Sequence, residues 1–161
     1  MKAELDHTSH QLVQPPKVSA EEFAQKSEAM AAMGSERFRN RSDVIALVGE
    51  NNIQMAHDNN RNFARFMISM FDNYNPAVFV ETVLWVFRAY RAHGFQTTYW
   101  PANLNIWVEM LKTELQPETC KALYPFFNWL IINIPLFAAI SDNHISQSNM
   151  SIPPNHSIHQ S

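Results

Sequence analysis

The sequence predicts an all-α protein of one domain, and three observations predict it. The 161 residues include only three glycines against eight methionines, eleven phenylalanines and four tryptophans, a composition suited to dense helix packing rather than to turn-rich sheet. Apolar residues recur at spacings of three and four in successive segments. Asn75-Pro76, Pro101 and Gln116-Pro117 stand where helices begin, and Gly94 where one ends. The length suits a single hydrophobic core, for which five to six helices are expected.

In chain order, residues 1–18 are polar, carry His7 and His10, and end near Pro15-Pro16, so they read as a disordered leader to a helical domain at 19–142. Ser19 with Glu22 forms a capping-box pattern that opens a helix through roughly Phe38, with Phe23, Met30 and Met33 as its buried contacts. Ser42 or Asp43 caps an apolar segment, Val44, Ile45, Leu47 and Val48, before Gly49. Whether one helix or two lies there is open.

Residues 50–62 are nearly all polar, and then Phe63, Phe66, Met67, Met70 and Phe71 restore an apolar stripe. His57, Asn60 and Arg61 share one side of that helix and read as a solvated face.

Between Asn75-Pro76 and Gly94, Phe79, Val83, Val86, Phe87 and Tyr90 share one face, while Val78, Val80, Leu84 and Trp85 make the other apolar too. That pattern predicts a central, largely buried helix. After Pro101, Leu104, Trp107, Val108, Leu111 and Leu115 form the stripe of the next helix.

The last element runs from Pro117 to about Ile140. Residues 122–140 carry no charge and are long enough to cross a bilayer, which gives a membrane-tethered alternative. Pro125, Pro135, Asn128 and Asn133 inside the run, and the lack of Lys or Arg beyond it, favour a buried, kinked terminal helix. Residues 143–161, with Pro153-Pro154, read as a disordered tail.

A formal net charge of −3 with thinly spread cations argues against a nucleic-acid partner. One cysteine, Cys120, excludes an intramolecular disulfide, and the N-terminus lacks a signal-peptide core, so the expected location is cytoplasmic. No nucleophile motif, phosphate loop, dinucleotide fingerprint or zinc spacing occurs, and no enzymatic activity is expected. His144, His156 and His159 would bind metal only adventitiously, and Cys120 reads as an unreactive half-buried thiol.

The series Met70-Phe71, Tyr90, Gly94-Phe95 and Tyr99-Trp100 resembles bacterial globin-coupled sensors and protoglobins over roughly the C-terminal two-thirds of the chain. In those families an apolar pair ends one helix, a His that ligates haem sits in the next, Gly and an aliphatic residue follow four residues on, and an aromatic pair opens the helix after. Tyr90 stands at the position of that His. The resemblance implies a globin-like sensory or regulatory domain without catalysis, which binds a small apolar ligand or a protein partner and does without haem. The alternative it implies is a haem- or tetrapyrrole-binding sensor. The ring would lie against Phe79, Val83, Val86 and Phe87, with Tyr90 or His93 on the iron and His57 opposite. It further implies a homodimer through the last two helices, with Trp107, Phe126, Phe127 and Trp129 as dimer surface or core.

Overall fold

A computed structural model describes the backbone of residues 1–150 and the side chains through Asn143. Within it the chain is all-α and has eight helices: α1 Lys2–Ser9, α2 Lys17–Arg39, α3 Val44–Val48, α4 Ile53–Asp72, α5 Pro76–Ala92, α6 Tyr99–Glu114, α7 Pro117–Ile132 and α8 Ile134–Met150. Two features raise the count above the expected five to six.

The first is α1, in place of a free leader. Leu5 is fully buried, the Tyr74 hydroxyl donates to the Ser9 carbonyl at 2.6 Å, and Trp129 Nε1 donates to Thr8 Oγ1 at 2.9 Å. Gln14 then clasps the end of α4, donating to the Phe71 carbonyl and accepting from the Tyr74 amide, both at 2.6 Å. Partners far along the chain supply the order that the leader's composition lacks.

The second is the division of the terminal helix at Asn133, where α7 and α8 meet at a 45° bend. Pro135 has no amide hydrogen and its ring crowds the carbonyl one turn back, which favours a break there, although Pro125 lies inside α7 without one. Asn133 Nδ2 donates to the Trp129 carbonyl at 2.8 Å in that corner. No single helix among the described residues is long and apolar enough to span a membrane; only this bent pair has the length and composition together. Phe126, Phe127, Leu130 and Ile134 within it are buried against other helices. α8 continues through Met150, past the boundary expected at 143. The side chain of His144, and residues 151–161 with His156 and His159, lie outside the described residues.

α2 is the helix at the centre of the packing, with α4, α6 and α7 all against it. Gly34 faces α6 closely: a Cβ there would stand 2.9 Å from the Met110 Cε, the tip of a flexible side chain that would have to shift. α2 opens at Lys17, two positions before the expected Ser19 cap. Glu22 does not cap it; the carboxylate accepts from Lys26 at 2.7 Å and from the Gln116 amide at 3.0 Å, tying α2 to the α6–α7 corner. Burial pushes the Glu22 carboxyl up, but these bonds and Thr119 together hold it below its ordinary value.

α3 and α4 are separate helices, parted at Gly49, whose φ of +90° suits glycine. Trp107, Phe126, Phe127 and Trp129 are all buried, so they belong to the core and are not a dimer surface. α5 proves peripheral, between α1 and α8, with Val78 and Trp85 exposed. Val80 and Leu84 are buried, and Val83, Val86 and Phe87 face a cavity.

Candidate functional site

α5 is held at both ends by local chemistry. At its start Asn75 Oδ1 accepts from the Val78 amide at 3.1 Å, and Pro76 occupies the first turn. At its end Gly94, with φ +96°, closes a Schellman motif: the Phe95 amide donates to the Tyr90 carbonyl and the Gly94 amide to the Arg91 carbonyl. The accompanying apolar contact is between Phe95 and Tyr90, whose rings meet edge-to-face at 5.0 Å. Tyr90 therefore has a packing role at this helix end that any fold with such a stop would demand.

Beside Tyr90 lies a cavity of about 240 Å³, walled by α4, α5, α6 and the α7–α8 corner. Phe63 and Phe66 come from α4, Val83, Val86 and Phe87 from α5, and Leu104, Leu130 and Phe137 from the far side. Trp85 belongs to this wall and is also 63% exposed, so it marks the opening to solvent. The polar wall residues are Asn59, Asn62, Thr82, Tyr90, Trp100 and Asn103; no ionisable side chain other than the Tyr90 phenol lines the space.

Of the residues expected to hold a cofactor, Tyr90, Val83, Val86 and Phe87 do come together on this wall. Phe79 does not. It is buried behind the wall, stacked on Phe66 at 6.0 Å and edge-on to Tyr74 at 5.8 Å. His93 is exposed at the end of α5, where its carbonyl accepts from Asn52 Nδ2 at 2.7 Å. His57 is half-buried on α4 outside the cavity, with Nδ1 unpartnered among the described residues.

This set does not fit haem. A tyrosine grips iron as phenolate, which requires a lowered pKa. Burial, and next the charge of Asp58, push the Tyr90 phenol up instead. The neighbouring Arg91 is engaged elsewhere, with Asp142 at 2.8 Å and the Ala138 carbonyl at 3.3 Å on α8. No group of three or more His, Cys, Asp or Glu side chains close enough to hold a metal ion occurs among the described residues.

Behind the cavity is a buried polar cluster that periodicity concealed. Asn60, expected on a solvated face, is 1% exposed. Its Oδ1 accepts from Asn103 Nδ2 at 2.7 Å and from Trp107 Nε1 at 3.1 Å, and its Nδ2 donates to Ser35 Oγ at 3.2 Å. Asn59 Nδ2 donates to the Tyr99 hydroxyl at 2.8 Å. A run of two asparagines entering an apolar stripe is the available signal, but the stripe's phase alone does not reveal that both turn inward.

One buried phenol, Tyr99, and two half-buried ones, Tyr74 and Tyr90, give the protein an alkaline limit. Desolvation pushes Tyr74 up to about 12 from an ordinary 10.0, and raises Tyr99 and Tyr90 as well. Each binds its proton more tightly folded than unfolded, so the stabilisation is complete below pH 10 and is lost as pH rises through the folded values. The denaturation midpoint is expected to fall across pH 10 to 12 in step with tyrosinate absorbance, less steeply in Tyr74→Phe. A level midpoint over that window would contradict these environments. Set against known protein families, curated proteins and solved structures, the chain matches none.

Proposed function

We propose that the chain is a haem-free, globin-like regulatory domain that takes one small apolar molecule into the cavity beside Tyr90. The cavity carries the reading. At about 240 Å³ it exceeds the roughly 150 Å³ of an engineered apolar cavity that accepts benzene, and falls below the roughly 300 Å³ at which sites for drug-sized ligands begin. A pocket walled by α4, α5, α6 and the α7–α8 corner also suits a globin-like fold, in which helices pack around a ligand pocket.

Regulation follows from what the walls are joined to. Arg91, lying over the Phe87 ring at 5.9 Å, latches α5 to α8 through Asp142 and Ala138. Phe87 and Phe137, one from each helix, line the cavity. An occupant that favours one spacing of α5 and α8 shifts the population of that spacing. Pairing of two copies through the last helices would use Tyr124 and Ile132, the large apolar side chains exposed on α7.

The test is calorimetric titration with p-xylene. The wild type is expected to bind it and to melt at a higher temperature in its presence. Val83→Trp, which fills the space, is expected to lose both effects while remaining folded. Absence of binding by the wild type would refute the reading. A sharp Soret band on adding haemin, abolished by Tyr90→Phe or His93→Ala, would replace it with the haem alternative.

A further inference from the structure

Aromatic rings form much of the cavity wall, and they differ in how far the protein's own rings surround them. Phe63 meets Trp107 and Phe127 edge-on. Phe87 meets Trp100 and Phe137, and Tyr90 meets Phe95 and Trp100. Phe66 stacks on Phe79 with their planes 10° apart, which covers one face, and no further ring among the described residues meets it. The tryptophan ring contacts among the described residues belong to Trp100, Trp107 and Trp129; Trp85 has none.

Phe66 and Trp85 stand on the two sides of the opening. Asn62 on α4 and Trp85 on α5 both line the space and are both exposed, which places the mouth between these helices. Phe66 lies four positions on from Asn62, one turn along the same face of α4. Each of the two rings keeps surface that a bound molecule can reach, Trp85 being 63% exposed and Phe66 half-buried. Since they border one space of about 240 Å³, a molecule that fills it meets both. That volume is about 1.6 times the roughly 150 Å³ of an apolar cavity that accepts benzene. A pair of fused rings has about 1.7 times the carbon of benzene, so it scales with the space.

We infer that the occupant is a neutral, planar aromatic compound of about two fused rings, selected at the mouth by Phe66 from α4 and Trp85 from α5. This rests on the cavity reading above and adds the ligand's chemical class and the residues that select it. An aromatic ring has a negative face and a positive edge, so a ring ligand gains from ring walls beyond the area it buries; a saturated ligand of the same skeleton does not. Among side chains lining the space there is no Lys, Arg, His, Asp or Glu, so a charged ring compound would find no counter-charge.

The test compares naphthalene with trans-decalin, the same carbon skeleton saturated, by headspace partitioning over solutions of the full chain and its variants. The wild type is expected to bind naphthalene more tightly, although trans-decalin is the more hydrophobic of the two. Trp85→Leu and Phe66→Leu are each expected to lower the naphthalene-to-decalin affinity ratio about fivefold, the surplus of one aromatic pair. Trp85→Phe, which keeps a ring, should hold the ratio within about twofold of the wild type. A change in cavity size alone would not be reversed by restoring a ring. Retained trans-decalin binding shows that a variant is folded, and if one leucine variant binds neither probe, the other decides. Tighter binding of trans-decalin by the wild type, or a ratio that the leucine changes leave unmoved, would overturn the aromatic assignment and leave the cavity reading intact. Failure of the wild type to bind either hydrocarbon would remove the cavity reading itself.

Discussion

Asn60→Leu is expected to destabilise the protein by about 4 kcal/mol, because two donors lose their acceptor at a cost of roughly 1–3 kcal/mol each. Those donors are Trp107 Nε1 and Asn103 Nδ2, both on α6 and both buried, so water does not reach them easily. Ser35 Oγ on α2 loses a contact too, but a serine hydroxyl can turn to a carbonyl of its own helix. Single domains have about 5–15 kcal/mol in total, so this one side chain separates a well-folded protein from a marginal one. Urea denaturation measures the loss as a shift in midpoint. The attribution to Trp107 is checked by repeating Asn60→Leu in a Trp107→Phe background, where the cost should fall by at least 1 kcal/mol on the same principle. A midpoint shift below about 1 kcal/mol in the first experiment would mean that the cluster is not satisfied in the way its geometry indicates.

The same side chain marks the limit of what the sequence discloses. Local signals are legible where caps depend on residues within one turn, and Asn75-Pro76 and Gly94 delimit α5 as expected; of the two prolines expected to kink the terminal helix, Pro125 lies inside α7 and Pro135 stands at the break. Asn60 was not legible, since a polar residue on a polar segment looks solvated until its tertiary partners on α2 and α6 are known. For the same reason α1 was missed: its order comes from Tyr74 and Trp129, distant in the chain. Four of the seven candidate site residues gather at one cavity because a stripe at helical spacing does share a face. The stripe is shared between core and cavity wall, and α5 is peripheral where a central helix is expected. A void has no sequence signature, and the apolar surface of α5 beside it resembles core.

Core and cavity wall can be told apart by experiment, and Phe71→Ala is the case with the larger effect. Phe71 is fully buried, edge-on to Phe23 at 5.0 Å and to Phe126 at 5.2 Å, and tilted against Phe127 at 6.3 Å. It joins α2, α4 and α7 and does not line the cavity, so truncation leaves a new hole among close-packed rings. Such changes cost about 3–5 kcal/mol, and the loss of two edge-to-face pairs places this one toward the upper end. At about 2–4 °C per kcal/mol for a chain of this size, the melting temperature should drop by roughly 10 °C or more. Phe66→Ala, at the cavity wall, should cost less, since Phe66 is half-buried and its removal enlarges an existing space. The distinguishing measurement is melting with saturating p-xylene. The ligand should restore more of the lost temperature to Phe66→Ala, where it can occupy the vacated volume, than to Phe71→Ala. Equal recovery in the two variants would show that the space beside Phe66 is no more a binding site than the hole made at Phe71.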